Sequence, residues 1–158
     1  GHSLIKSKMA EVKAPLAGEL SGHIFFADHY YGFDDALYCA LRLINIVDAA
    51  DKNLSDLMAH LPELHSTPEI RIEVDEATKF QKMDELVSDL KSRANDTFEV
   101  DDIDGARITT DDGWFLIRAS NTQNVWATRA EANTKEGLER LKSILKEEIE
   151  NLGYTIQF

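Results

Sequence analysis

The chain has one cysteine, Cys39, among 158 residues. A lone thiol excludes an intramolecular disulfide and a thiolate metal cluster, and its place in a helical apolar pattern makes it a buried helix residue rather than a nucleophile. Basic charge is also scarce. Seventeen Lys and Arg against 29 Asp and Glu leave a net charge of -12, whereas a nucleic-acid partner calls for a basic face that displaces counterions from phosphates. Long hydrophobic runs are missing: apolar stretches are broken by charge well short of the roughly 18 residues of a membrane span. No basic-then-apolar signal segment opens the chain. The expectation is a soluble, cytoplasmic protein with neither membrane nor nucleic acid as partner. An initiator Met is absent too; Gly1-His2-Ser3 belongs either to an added tag or to a longer protein.

What is present is the composition of a folded protein, 43% hydrophobic and 29% charged,. The strongest punctuation is Leu61-Pro62-Glu63-Leu64-His65-Ser66-Thr67-Pro68, where two prolines break any regular element. A boundary there gives residues 1–66, with 5 basic and 9 acidic groups, and residues 67–158, with 12 and 20. Both parts are acidic, so any anion site is local.

In the first part, Leu4 to Val12 reads as a helix and Ile24 to Ala27 as a strand leaving the glycine-containing loop 17–23. Leu37, Ala40, Leu41, Ile44 and Val47 make a helical stripe, with Asp34 as N-cap and Phe33 and Tyr38 as a hydrophobic staple. A short helix from Leu54, capped by Asn53, ends at Pro62. These elements are too few to close a sheet domain, which points to a partial α/β segment. The second part reads as complete. A strand at 69–74, a helix carrying Phe80, Met83, Leu86, Val87, Leu90 and Ala94, and strands at 98–100, 106–109, 114–118 and 125–132 precede a helix capped near Thr134. Asp112-Gly113 is the expected hairpin turn. The predicted fold class is α+β: an antiparallel sheet covered on one face by two helices.

Two loops carry chemistry. Arg118-Ala119-Ser120-Asn121-Thr122 places a guanidinium before three small hydrogen-bonding side chains, the donor set a phosphate dianion calls for. From the residues alone, a polar turn after an exposed arginine is the more economical account. Glu19, Ser21 and His23 alternate between two glycines, so an extended segment puts all three on one face, a set suited to sugar hydroxyls. A Ser-His-acid nucleophile is disfavoured because side chains two apart on a strand stand about 7 Å apart. His29, His60 and His65 lack ligand spacing. The acidic run 101–105 lacks the further ligands of a calcium loop. Trp114 and Trp126 fit sheet packing.

Gly18-Glu19-Leu20-Ser21-Gly22-His23-Ile24-Phe25-Phe26 followed by Tyr31-Gly32-Phe33-Asp34-Asp35-Ala36 resembles the sugar-binding segment of the third domain of the α-D-phosphohexomutases. Arg118-Ala119-Ser120-Asn121-Thr122 resembles the phosphate-binding loop of their fourth domain, and the opening around His2 resembles the segment upstream of the sugar loop. The resemblance spans nearly the whole chain. It implies a four-domain enzyme that interconverts hexose 1-phosphate and 6-phosphate through a phosphoserine and a hexose 1,6-bisphosphate intermediate, with Mg2+ held by aspartates of the second domain. Glu19 and Ser21 then hold sugar hydroxyls; Arg118, Ser120, Asn121 and Thr122 hold the phosphate not being transferred; His23 and His2 contact substrate and are candidates for proton handling. Leu20 stands where Met is usual and Gln123-Asn124 where proline commonly follows. An apolar residue 20 tilts toward the phosphomannomutase/phosphoglucomutase branch.

Neither the nucleophile serine motif nor the metal-binding aspartate run occurs in these residues. The expectation is therefore the end of domain three (1–66) joined to domain four (67–158), catalytically silent alone, with mannose or glucose phosphates as substrate and the N-terminal domains of the same protein as partner. A stand-alone phosphosugar-binding module is the alternative, and a domain whose loops bind nothing is a further one.

Overall fold

A computed structural model describes residues Gly1–Phe158. It divides into two compact units, Gly1–Pro62 and Glu63–Phe158.

The first unit comprises helix α1 (His2–Val12), strands β1 (Leu16–Gly18) and β2 (Ile24–Phe26), and helices α2 (Ala36–Ala49) and α3 (Leu54–Met58). The loop expected at 17–23 is instead the tip of an antiparallel hairpin, because Leu16, Ala17 and Gly18 pair with Phe26, Phe25 and Ile24. Phe25 and Met9 are the buried apolar residues of this unit. Helix α2 buries none of its residues, and Leu37, Leu41, Leu43, Ile44 and Ile46 all stand exposed. Cys39, expected to be buried, is half-buried on that helix. The N-cap of α2 is Asp35 rather than Asp34: its carboxylate accepts from the Tyr38 N–H at 2.9 Å. Asp34 instead forms an antiparallel bridge with Phe25, the middle residue of β2, and its carboxylate meets His23. Asn53 caps α3 as expected, accepting from the Asp56 N–H.

The second unit is built from β3 (His65–Ser66), β4 (Ile70–Glu73), helix α4 (Lys79–Ser92), β5 (Phe98–Asp101), β6 (Ala106–Thr110), β7 (Gly113–Ala119), β8 (Val125–Ala132) and helix α5 (Lys135–Asn151). The sheet is antiparallel throughout, in the order β3-β8-β7-β6-β5, with β4 also pairing along β8. Helices α4 and α5 cover one face. There Ile72, Ile108, Phe115, Ile117 and Trp126 meet Met83, Leu86 and Leu90 of α4 and Leu141, Leu145 and Ile149 of α5 in a single core. Strand alternation sends Arg71, Arg107, Arg118 and Arg129 to the other face.

One residue of α4 departs from the expected stripe. Phe80 is exposed and Lys79 is buried in the phase of Met83, Leu86 and Leu90. The β6–β7 turn is also displaced by one residue. Thr110 pairs with Gly113, so Asp111-Asp112 form the two-residue loop and Gly113 opens the strand. Arg140 Nε donates to Asp112 Oδ2 at 2.7 Å, fastening the turn to the first turns of α5.

Gly113 has φ 146, and a Cβ there would lie 2.2 Å from the Glu131 carbonyl oxygen and 2.7 Å from Ala132 Cα. Both neighbours are backbone of β8 and cannot yield without parting the β7–β8 pair. Gly113→Ala is expected to lower the stability of the second unit by about 3 kcal/mol. Urea unfolding followed by Trp126 fluorescence measures it; an unchanged midpoint contradicts this account of the hairpin.

Candidate functional site

The first candidate lies at the β1–β2 tip. The sequence suggested an extended Glu19, Ser21 and His23 with alternating side chains; the structure brings them together by a turn instead. The Gly22 N–H donates to the Glu19 carbonyl and the Glu19 N–H to the His23 carbonyl, each at 3.0 Å. Gly22, at φ 90, is the residue that closes this turn,. Folding removes the separation that an extended strand would impose: Ser21 Oγ donates to Glu19 Oε1 at 2.5 Å. The same oxygen lies 3.6 Å from His23 Nε2. The serine hydroxyl thus points at the carboxylate and not at the imidazole, which is not the order of a nucleophilic triad.

His23 is held from its other side. Nδ1 lies 2.5 Å from Asp34 Oδ2, so that carboxylate fixes the proton on Nδ1 and leaves Nε2 facing Glu19. The His2 ring lies 5.6 Å from the His23 ring, centroid to centroid. Glu19, Ser21, His23 and His2 therefore form one cluster, with Asp34, expected as a helix cap, as its fifth member. Its signal was the Asp34-Asp35 pair: one carboxylate caps a helix and the second is spare.

Residues 27–34 are folded onto α2 by aromatic and ionic contacts. Tyr30 stacks on Tyr38 at 3.8 Å and donates its hydroxyl to Asp35 Oδ2 at 2.5 Å. Arg42 donates to both oxygens of Asp28, at 3.0 and 3.4 Å, and its guanidinium lies 4.5 Å from the centre of the Phe26 ring. The Tyr30 hydroxyl, then the Tyr38 amide, hold the Asp35 carboxyl below its usual 3.8.

The second candidate is the loop between β7 and β8. Its geometry is a serine turn: the N–H groups of Thr122 and Gln123 donate to Ser120 Oγ at 3.3 and 3.2 Å. With both acceptor positions of that oxygen taken, its O–H remains a donor for a ligand. Arg118 lies two residues upstream on β7, its Nη1 3.8 Å from Asp104 Oδ2. Asp104 reaches it because the β5–β6 turn lies directly on β7. At Gly105, φ 78, a Cβ would stand 2.3 Å from the Ile117 carbonyl oxygen and 2.7 Å from Arg118 Cα. Arg71 and Arg118 sit opposite Ala127 from either side of β8, and Arg71 Nη1 donates to the Gln123 side chain at 2.5 Å. Asn121 and Thr122 are exposed at the loop apex.

Lys79, Asp104 and Arg71 were not found from sequence. Only Lys79 left a signal, a charge falling in the apolar phase of α4. No group of three or more His, Cys, Asp or Glu side chains is arranged to hold a metal ion. No helix is long and apolar enough to cross a membrane.

Family models match both units in order. Residues 1–65 match the phosphoglucomutase/phosphomannomutase alpha/beta/alpha domain III, and residues 69–148 match the phosphoglucomutase/phosphomannomutase C-terminal domain. The chain belongs to this family. It is 42% identical over 149 residues to a phosphomannomutase/phosphoglucomutase of Pseudomonas aeruginosa, covering 94% of this chain and 32% of that protein. A phosphoglucomutase of Neisseria meningitidis is 43% identical over 152 residues, covering 96% of this chain and 32% of its own length. A crystal structure of a phosphoglucomutase/phosphomannomutase family protein from Burkholderia thailandensis superposes with a TM-score of 0.79 at 37% identity, over 99% of this chain and 33% of that one. The chain thus spans about a third of the length of the curated relatives it matches.

The depressed Asp35 carboxyl makes the N-terminus of α2 sensitive to acid. A carboxyl whose folded value lies below its unfolded one contributes stability that is present at neutral pH and is lost as pH falls through the folded value. Exchange of the Tyr38 amide in the native chain is therefore expected to accelerate as pH drops below 3.8, beyond the intrinsic trend. Asp35→Asn keeps an acceptor at the cap and should remove that acid-dependent step. An identical acid profile in the variant contradicts the assignment.

Proposed function

We propose that this chain supplies the sugar-hydroxyl and phosphate-holding parts of a phosphomannomutase/phosphoglucomutase, an enzyme that interconverts hexose 1-phosphate and 6-phosphate through a phosphoserine and a bisphosphate intermediate. The observation that carries the proposal is the β7–β8 loop, where Ser120 keeps its hydroxyl proton free to donate and a guanidinium stands two residues away on the strand. The family match and the names of the relatives support the choice of reaction.

Phosphoryl transfer leaves a protein little covalent work; catalysis is mainly positioning and charge stabilisation. The residues of this chain suit the positioning part. Glu19 accepts from sugar hydroxyls, exchanging the Ser21 hydroxyl for a substrate hydroxyl, and Ser21 then serves as donor or acceptor,. A set that accepts and donates at the same place tolerates a sugar presented in either orientation, as a mutase with a turning bisphosphate requires. His23 and His2 line the same cluster as substrate contacts. Arg118, Ser120, Asn121 and Thr122 grip the phosphate that is not transferred, the arginine by charge-assisted hydrogen bonds. Mg2+, in the proposed whole enzyme, offsets charge on the phosphoryl group and is held outside these residues.

Two outcomes are expected. Purified alone, the 158-residue chain should convert no glucose 1-phosphate to glucose 6-phosphate in a coupled assay; turnover that copurifies with it overturns its role as a holding module. Within a whole enzyme carrying these residues, Arg118→Ala should lower kcat/KM by about 10- to 100-fold, the worth of hydrogen bonds to a charged group, with little change in thermal stability. Unchanged kcat/KM counts against the phosphate assignment.

A further inference from the structure

Lys79, the first residue of α4, is 4% exposed. Its Nζ donates to two carbonyls of the β7–β8 loop, Ser120 O at 2.8 Å and Gln123 O at 2.9 Å. The Phe80 ring centre lies 4.7 Å from the same nitrogen. No carboxylate lies within ion-pair distance of it, although the chain carries 29 of them. A buried ammonium is costly without an opposing charge, and carbonyl dipoles compensate it only in part.

Peptide planarity adds a directional consequence. In a trans peptide the C=O of one residue and the N–H of the next point in opposite directions. Holding Ser120 O and Gln123 O toward Lys79 therefore turns the Asn121 and Asn124 N–H groups away from it. Neither amide donates to an acceptor within the chain, whereas those of Thr122 and Gln123 are taken by Ser120 Oγ. The loop thus has two outward amides free and two committed.

We propose that Lys79 is a positioning residue for phosphate binding. It clamps the loop so that the Asn121 and Asn124 amides face the ligand, and the two peptide groups stand between the buried ammonium and the phosphate with their dipoles aligned to both charges. The inference rests on the phosphate-site reading above and deepens it. It assigns a role to a residue outside the Arg118 to Thr122 motif, on a different secondary-structure element.

Titration of the 15N-labelled chain with inorganic phosphate tests both readings separately. In the native chain the Asn121 and Asn124 amides should shift more than those of Thr122 and Gln123; the reverse order overturns the clamp without any variant. If none of the residue 120–124 amides moves, the phosphate site itself has failed, and the inference falls with it. Lys79→Met should weaken phosphate binding about tenfold and correspondingly reduce the rise in melting temperature that a given phosphate concentration gives the native chain. Lys79→Gln keeps a donor and loses the charge, so it should weaken binding as well. Lys79→Arg, which keeps the charge, should recover most of the loss, a rescue that packing alone would not produce. Folded Met and Gln variants that bind phosphate as tightly as the native chain overturn the role of Lys79. Should Lys79→Met not fold, the Gln and Arg variants and the native amide order decide the matter.

Discussion

Trp126 lies wholly inside the second unit, and its ring N–H donates to the carbonyl of Lys79 at 3.2 Å. The indole meets Tyr154 edge-on at 5.0 Å and sits in register with Ala119 on β7 and Ile72 on β4. Four pieces of the unit are thereby tied to one side chain: two neighbouring strands, the start of α4 and the C-terminal segment. Burying such a ring is among the larger apolar contributions a single residue makes, and its polar edge requires the partner it finds. The same lysine whose backbone is held by Trp126 reaches the loop with its side chain. Core packing and loop geometry are therefore linked, and the loop is held by Lys79 from the core side as well as by its own serine turn.

This explains which features could be read from residues alone. The long elements of the second unit announce themselves by period, with Leu141, Leu145 and Ile149 on α5 and Phe115 and Ile117 on β7. Strands β1 and β3 do not: they are three and two residues long, too short for a pattern, and exist only because a partner strand lies alongside. The one-residue shifts at Asp35 and at the Asp111-Asp112 turn have the same origin. Both are settled by pairing and contacts outside the local pattern: Tyr30 holds the Asp35 carboxylate, and the Thr110–Gly113 pair sets the turn.

The two candidate sites differ in the same way. Glu19, Ser21 and His23 were legible as a set, but strand alternation gave the wrong reason for their convergence, since Gly22 bends the segment that alternation assumed was straight. At the other loop Arg118 and Ser120 were legible, and Lys79 was not. It contributes from 41 residues away in sequence, and only its position in the apolar phase of α4 marks it. A charged residue at core phase is a point where local pattern and global fold disagree, and such points concentrate at sites under functional constraint.

The acid surplus bears on the proposed phosphate loop through the carboxylates that stand near its cations. Arg118 has Asp104 at 3.8 Å, beyond hydrogen-bond length, with both side chains partly open to solvent. An ion pair of that kind is worth at most about 1 kcal/mol. It is enough to bias where the guanidinium points and too little to hold it against a dianion offering two short charge-assisted bonds. Arg71 has a hydrogen-bonded partner in Glu69, at 3.0 Å, in a pair that is likewise open to solvent. Lys79 is the exception, buried with carbonyls only. Arg118 and Arg71 carry acidic partners that water screens, while the buried lysine, where screening is weakest, meets carbonyls alone. A net charge of -12 is thus compatible with an anion site because the carboxylates stand where they compete weakly and are missing where they would compete strongly.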